Sequence, residues 1–257
     1  MVKKLLSVLA ITLALGVIAY AAGPLPVTAL GTAKPIVINT QPYPVSDGGL
    51  FLGTVNTLST NFWCIDSQLT TPVPGSGLGN VIGLNNISGT NTQYGGINAV
   101  SGSPAWTNAL GGVFDTAQIR FEMDAYLISQ YEATSGGPLG PSSYRAPADT
   151  TRNQNIQGAI WAIMYNNSVP DDNLGGKTIT SGELAWINAA KTSYTSVDPT
   201  KWAAVSWVVT GAGSLSGTPD RQTFLVEVVP EPGFYGALAL GLGGLFFFVG
   251  RKRVPKA

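Results

Sequence analysis

Cys64 is the only thiol in this chain, and the chain contains no histidine. A thiolate is among the strongest side-chain nucleophiles, and it is normally activated by a neighbouring base or positive charge. Without histidine, Ser-His-Asp and Cys-His catalysis, the zinc metallopeptidase motifs and every histidine-ligated metal site are excluded. No Gly-x-x-x-x-Gly-Lys phosphate loop and no Asp-rich calcium loop appears, so no cofactor or metal is implied. Carboxylate chemistry has little support either. Glu122 and Asp124 lie two apart on an expected helix and do not face each other, and Asp171-Asp172 reads as an exposed loop or helix-start pair. The chain is not expected to be an enzyme. Taken alone, Cys64 between Phe62, Trp63 and Ile65 is most simply a small buried hydrophobe.

The surroundings of Cys64 gain meaning beside a second segment far along the chain. Phe62-Trp63-Cys64-Ile65-Asp66 and Ile156-Gln157-Gly158-Ala159-Ile160-Trp161 resemble the two signature motifs of bacterial thioester domains, known from surface adhesins and from some exported proteins with a PEP-CTERM tail. In that family an aromatic-Cys-hydrophobic motif supplies the sulfur. A later Gln-x-Ala-Ile/Val-Trp helix supplies the carboxamide carbon. The resemblance covers both motifs and their order, roughly Asn56 to Val209. Ile156 stands where the family often has Thr, and Gly158 sits inside the helix, where it costs about 1 kcal/mol relative to Ala and gives room for the Cys64 strand.

The resemblance implies an internal thioester between Cys64 and Gln157. The residue types suit that reaction: the thiolate attacks the primary amide, ammonia leaves, and the acyl group later becomes the target of an external amine or hydroxyl. Ammonia is a poor leaving group, but holding sulfur and carboxamide together supplies about 7–11 kcal/mol of the barrier through proximity. Phe62, Trp63, Ile160 and Trp161 are the apolar residues expected to exclude water from the bond.

Positioning such a pair requires strands before and after a helical middle. Pro26 to Thr40 and Leu50 to Asp66 carry alternating or β-branched runs, and Thr70 to Thr107 reads as Gly/Asn/Pro-rich loop with short strands. A first helix is expected from about Thr116 to Glu132 with Asp115 as its N-cap. Ile119, Met123, Tyr126, Leu127 and Tyr131 form its core face. A second begins near Asp149 or Thr150 and carries Ile156 to Met164, and a third spans Gly182 to Ser193 with Ser181 as its cap. Trp202 to Val209 and Thr223 to Val229 are again strand-like. Strands, then helices, then strands predict an α+β fold, an antiparallel β sandwich or barrel with an inserted helical subdomain.

Both ends carry an address. Lys3 and Lys4 form a positive n-region, Leu5 to Ala19 an apolar stretch, and Ala19-Tyr20-Ala21 a signal-peptidase site, so 1–21 reads as a signal peptide. At the other end, Pro230-Glu231-Pro232 precedes the uncharged run Gly233 to Gly250 and the basic cluster Arg251-Lys252-Arg253. A helix over that run, at about 1.5 Å per residue, is just long enough to cross a hydrocarbon core. The order closely resembles a PEP-CTERM sorting signal (230–257), which in that family is recognised and cut by an exosortase. The implied course is export, an intermediate anchored in the inner membrane, then the cell surface or extracellular matrix.

Between these ends lies one expected extracellular domain, 24–229. Setting aside Lys3, Lys4, Arg251, Lys252, Arg253 and Lys256 leaves eight Lys/Arg, and setting aside Glu231 leaves thirteen Asp/Glu. A mildly acidic body without a basic cluster argues against nucleic-acid binding. The sequons Asn86-Ile87-Ser88 and Asn166-Asn167-Ser168 are short enough to arise by chance. Two functions fit: covalent adhesion through Cys64 and Gln157 to an amine- or hydroxyl-bearing surface or polysaccharide matrix, or a non-reactive structural protein of that matrix with Cys64 an unmodified buried thiol. A carbohydrate-active enzyme would need convergent carboxylates, which the spacing does not supply.

Overall fold

The computed structural model describes residues 24–46, 48–66, 71–87, 116–132, 147–164, 179–207 and 222–229. Among the described residues are seven strands: β1 (Leu25–Pro26), β2 (Gly31–Val45), β3 (Gly48–Val55), β4 (Leu58–Cys64), β5 (Gly75–Gly83), β6 (Trp202–Trp207) and β7 (Phe224–Val229). Three helices, α1 (Ala117–Ser129), α2 (Thr151–Met164) and α3 (Ser181–Ser193), lie between β5 and β6 in the chain. Strands β2 to β7 pair antiparallel in the order β7-β4-β3-β2-β5-β6, and β6 pairs back to β7. The fold is therefore α+β, a closed six-stranded antiparallel barrel with three helices inserted. Closure leaves no open sheet edge among these six strands. β1 adds a short parallel pairing onto β7.

Alternation along the strands divides the core in two. Phe51, Phe62, Cys64, Val81, Ala203, Val205, Phe224 and Val226 gather in one buried cluster, the barrel interior. Their immediate neighbours Leu50, Trp63, Ile65, Ala204 and Leu225 belong to a second cluster shared with the helices. A period of two sends successive side chains to opposite faces, so a one-residue slip would exchange the two sets. β2 is 15 residues long and its register with β3 shifts between Ile38 and Thr40 and between Thr40 and Tyr43. Such bulges bend a strand, which lets β2 serve both β3 and β5 around the barrel wall.

Several boundaries differ from expectation for local reasons. Leu50 to Asp66 is two strands, because Asn56 and Thr57 both take positive φ (50° and 75°) and turn the chain back on itself. β5, nine residues of Gly75–Gly83, falls in the stretch expected to be loop with short strands and is longer than that; its Gly-rich sequence has little strand propensity, and pairing to β2 and β6 supplies what propensity does not. α1 is capped by Thr116, not Asp115: the Thr116 hydroxyl oxygen accepts the Ile119 N–H at 3.3 Å, and the helix ends at Ser129. α3 is capped by Thr180, not Ser181, through a reciprocal capping box. There the Glu183 carboxylate accepts the Thr180 N–H at 2.6 Å and Thr180 Oγ1 accepts the Glu183 N–H at 3.2 Å.

On α1, Met123, Leu127 and Tyr131 just beyond its end are buried, whereas Ile119 and Tyr126 are only partly so. α2 is buried on most of its circumference, sandwiched between α1, α3 and the barrel. No helix among the described residues is long and apolar enough to cross a membrane. The expected signal peptide (1–21), Pro230-Glu231-Pro232, the 233–250 helix and the basic tail Arg251-Lys252-Arg253 lie outside the described residues, as do Asp171, Asp172 and the 166–168 sequon.

Candidate functional site

β4 carries the first motif to the end of the barrel. Its alternation turns Phe62 and Cys64 inward and Trp63 outward toward the helices. Phe62 packs edge-on against Phe224 across the interior, with ring centroids 5.7 Å apart and planes at 77°. Trp63 stacks on Tyr131 at 5.6 Å and 17°. That stack ties the strand bearing Cys64 to the C-terminal end of α1.

α2 carries the second motif, and Gln157 is completely buried. Three side-chain hydrogen bonds tie it to other elements. Its Oε1 accepts the Gly49 N–H at 2.8 Å and the Tyr131 hydroxyl at 2.8 Å. Its Nε2 donates to the Cys64 carbonyl at 3.1 Å, across 93 residues of sequence. With two donors at one end and an acceptor at the other, the carboxamide has only one sensible orientation. The contact from Gln157 to residue 64 runs to its backbone carbonyl.

The Cys64 sulfur has polar partners of its own. It donates to the Asp66 carbonyl at 3.1 Å and accepts from Gln222 Nε2 at 3.4 Å. Gln222 Nε2 also reaches the Asp66 carbonyl at 3.3 Å, and its backbone N–H donates to Thr71 Oγ1 at 3.2 Å. The buried Asp66 carboxylate accepts the Thr223 N–H at 3.2 Å. Thus the ends of β4 and β7 close around the thiol with a polar clasp. Gln222, Thr223, Thr71 and Tyr131 were not singled out by sequence as site residues. Gln222-Thr223 at the mouth of an apolar strand is the one local hint, a polar pair where a strand should already be burying carbon.

The lid of the site is the β2–β3 hairpin. A Cβ on Gly48 would stand 2.7 Å from Gln157 Cδ and 2.9 Å from Trp161 Cζ2, so backbone and indole bracket the carboxamide with no room for a side chain. Gly49 has φ +94°, a left-handed conformation natural to glycine, and a Cβ there would meet the Tyr43 carbonyl at 2.7 Å. Of the four residues expected to shield the bond, Phe62 packs in the barrel interior against Phe224, Trp63 stacks on Tyr131, and Ile160 is buried in the helical cluster. Trp161 is only partly buried and sits beside Gly48. The space left by Gly158 is filled differently from expectation: the Glu183 carboxylate of α3 occupies it, not the Cys64 strand.

Charge around the site is sparse. Burial pushes the Tyr131 phenol well above its usual value, with Cys64 and then Asp124 adding to the shift. Tyr131 therefore remains a donor throughout ordinary pH, and the thiol lies within electrostatic reach of its hydroxyl. Burial likewise raises the Asp124 carboxyl well above its usual range, against the opposing pull of Arg120. Arg120 itself donates to the Ile163 carbonyl at 2.7 Å, pinning α1 to α2. Glu122 accepts from Gln118 and lines an open hollow with Thr116 and Tyr194, so it makes no dyad with Asp124. Among the described residues, no three His, Cys, Asp or Glu side chains converge as metal ligands.

Comparison with known proteins gives no match to a family model, to a curated protein or to a solved structure.

Proposed function

We propose that this chain is an exported, exosortase-processed surface or matrix protein that adheres covalently through a thioester between Cys64 and Gln157. The observation that carries the reading is the Gln157 carboxamide, buried and held on the Cys64 backbone carbonyl by a 3.1 Å hydrogen bond that spans 93 residues of sequence. A buried glutamine tethered only for structure needs its polar atoms satisfied, and this one is. What a structural role does not require is a cysteine motif at its nitrogen end and a glycine hairpin pressed on its carbonyl carbon. The step is one of acyl exchange. The Cys64 Sγ–Gln157 Cδ bond forms, the Cδ–Nε2 bond breaks, and the nitrogen leaves as ammonia with the thiol proton. An amine or hydroxyl on the target surface then displaces the sulfur, giving single-turnover capture rather than catalysis.

Intact mass of freshly purified protein tests this: loss of one ammonia is expected in the wild type and absent in Cys64→Ala. An unmodified wild-type mass at neutral pH overturns the reading. A second reading, a non-reactive matrix protein, draws on the Sγ–Asp66 carbonyl bond at 3.1 Å, which satisfies the thiol without any acyl partner. It predicts stoichiometric alkylation of Cys64 only after denaturation. The sorting-signal reading of 230–257 is separate, and its test is loss of the C-terminal segment in a host with an exosortase but not in one without.

A further inference from the structure

We propose that the Gly49 N–H and the Tyr131 hydroxyl form an oxyanion site on Gln157 Oε1, and that Tyr131 is a catalytic residue of the chain's own acyl chemistry. The inference rests on the thioester reading above. Attack on Gln157 Cδ drives the carbonyl π pair onto Oε1. Both donors already stand 2.8 Å from that atom in the ground state, inside a buried site. Donors fixed in advance where negative charge develops are the usual source of large rate effects in acyl transfer. Water, the competing solvent for that charge, has little access, because Gln157 and Tyr131 are both buried.

The same oxygen persists through every stage. It is the carbonyl of the starting amide, of the thioester and of the amide or ester finally made with an acceptor. In the first step Sγ–Cδ forms and Cδ–Nε2 breaks, with ammonia leaving. In the second, the acceptor nitrogen bonds to Cδ, Cδ–Sγ breaks, and the sulfur leaves as the thiol with the acceptor's proton. One pair of donors therefore serves both tetrahedral intermediates.

The two donors are held by independent means. Gly49 presents its N–H through a left-handed turn at φ +94°, where a Cβ would collide with the Tyr43 carbonyl and the Val45 nitrogen. Tyr131 is aimed by its stack on Trp63, the residue preceding Cys64. Its raised phenol keeps the proton in place across the pH range in which amines are nucleophilic.

The test compares wild type with Tyr131→Phe, following ammonia loss by intact mass and then acyl transfer to methylamine. Tyr131→Phe keeps the ring and its stack. It is expected to slow both steps by about 10²–10³-fold while melting close to the wild type. Equal rates in the two proteins, with ammonia lost in both, overturn the oxyanion role and leave the thioester standing. No ammonia loss in the wild type overturns both. Should Tyr131→Phe fail to fold, 3,5-difluorotyrosine at position 131 replaces it. A stronger donor is then expected to accelerate aminolysis, and a rate indifferent to phenol acidity overturns the role.

Discussion

Adding one methyl group at Gly48 tests the geometry of the site with little change of chemistry. The Cβ of Gly48→Ala would stand 2.7 Å from Gln157 Cδ, 2.8 Å from its Oε1 and 2.9 Å from Trp161 Cζ2. Carbon atoms in contact prefer about 3.5–4.0 Å, so the carboxamide or the hairpin has to move by roughly 0.8 Å or more. Neither moves freely. Gln157 Oε1 is bound by Gly49 and Tyr131 at 2.8 Å each, and the Gly48 carbonyl accepts from Gln41 Nε2 at 2.7 Å. Overpacking of this kind costs about 1–3 kcal/mol. For a domain of this size each kcal/mol corresponds to about 2–4 °C in Tm. A misplacement near 1 Å at the reacting carbon costs about 10²-fold in rate. Gly48→Ala is therefore expected to melt several degrees lower and to lose ammonia far more slowly than wild type. Differential scanning calorimetry and a mass time course read the two effects separately. A Gly48→Ala protein that matches wild type in both refutes the placement of this glycine over the acyl carbon.

Two further outcomes follow from charge. Gln157→Glu replaces the Nε2 that donates to the Cys64 carbonyl at 3.1 Å with an oxygen facing an oxygen, so the buried acid is pushed toward its neutral form. A carboxyl with a raised folded pKa contributes its stability below the unfolded value and loses it as pH rises through the folded one. This variant should therefore unfold more readily at neutral than at acidic pH in urea titrations, and a pH-independent midpoint difference from wild type refutes that. Asp124 obeys the same sign: its carboxyl is raised by burial, so its contribution is fully present below about 3.9 and declines as pH rises toward the folded value. Asp124→Asn is expected to flatten that decline in urea midpoints measured from acid to neutral pH, and an unaltered slope would assign the pH dependence to other groups.

How much of this was legible in the sequence depends on the range of the interactions that decide each feature. The helices were legible because their apolar spacing is local, and the errors at Asp115 and Ser181 are single-residue choices between adjacent cap formers. β5 was legible only as short strand somewhere in Thr70 to Thr107, because Gly75–Gly83 has few strand-forming side chains and is held by β2 and β6, partners distant in the chain. An antiparallel sandwich or barrel was expected, but the choice between them stayed open: closure depends on β6 pairing with both β5 and β7, a fact about register that no single segment carries. At the site, Cys64 and Gln157 stood out by motif, whereas Tyr131 read only as a core residue of α1. Its hydroxyl acquires a role from what it meets in three dimensions. Gly48 and Gly49 carry no local signal of a site, because the Gln157 carboxamide they meet comes from a helix more than a hundred residues later.

The arrangement also constrains how a stored acyl bond would be used. An internal thioester has to be shielded from water until an acceptor arrives, yet an acceptor needs the same path to Cδ that water would take. With Gln157 fully buried, an acceptor has to displace something packed on it, and the Gly48 backbone is one such neighbour. The hairpin that excludes solvent also supplies one of the two donors on Oε1, through Gly49. Displacing it would expose the acyl carbon and remove that donor together, so unassisted opening yields a less activated bond. Tyr131 belongs to the helical side of the site and is held by Trp63 on β4, so its bond does not depend on the hairpin. Such a division would protect a stored bond from casual hydrolysis, because any opening of the hairpin would remove one of the two donors as it admitted water.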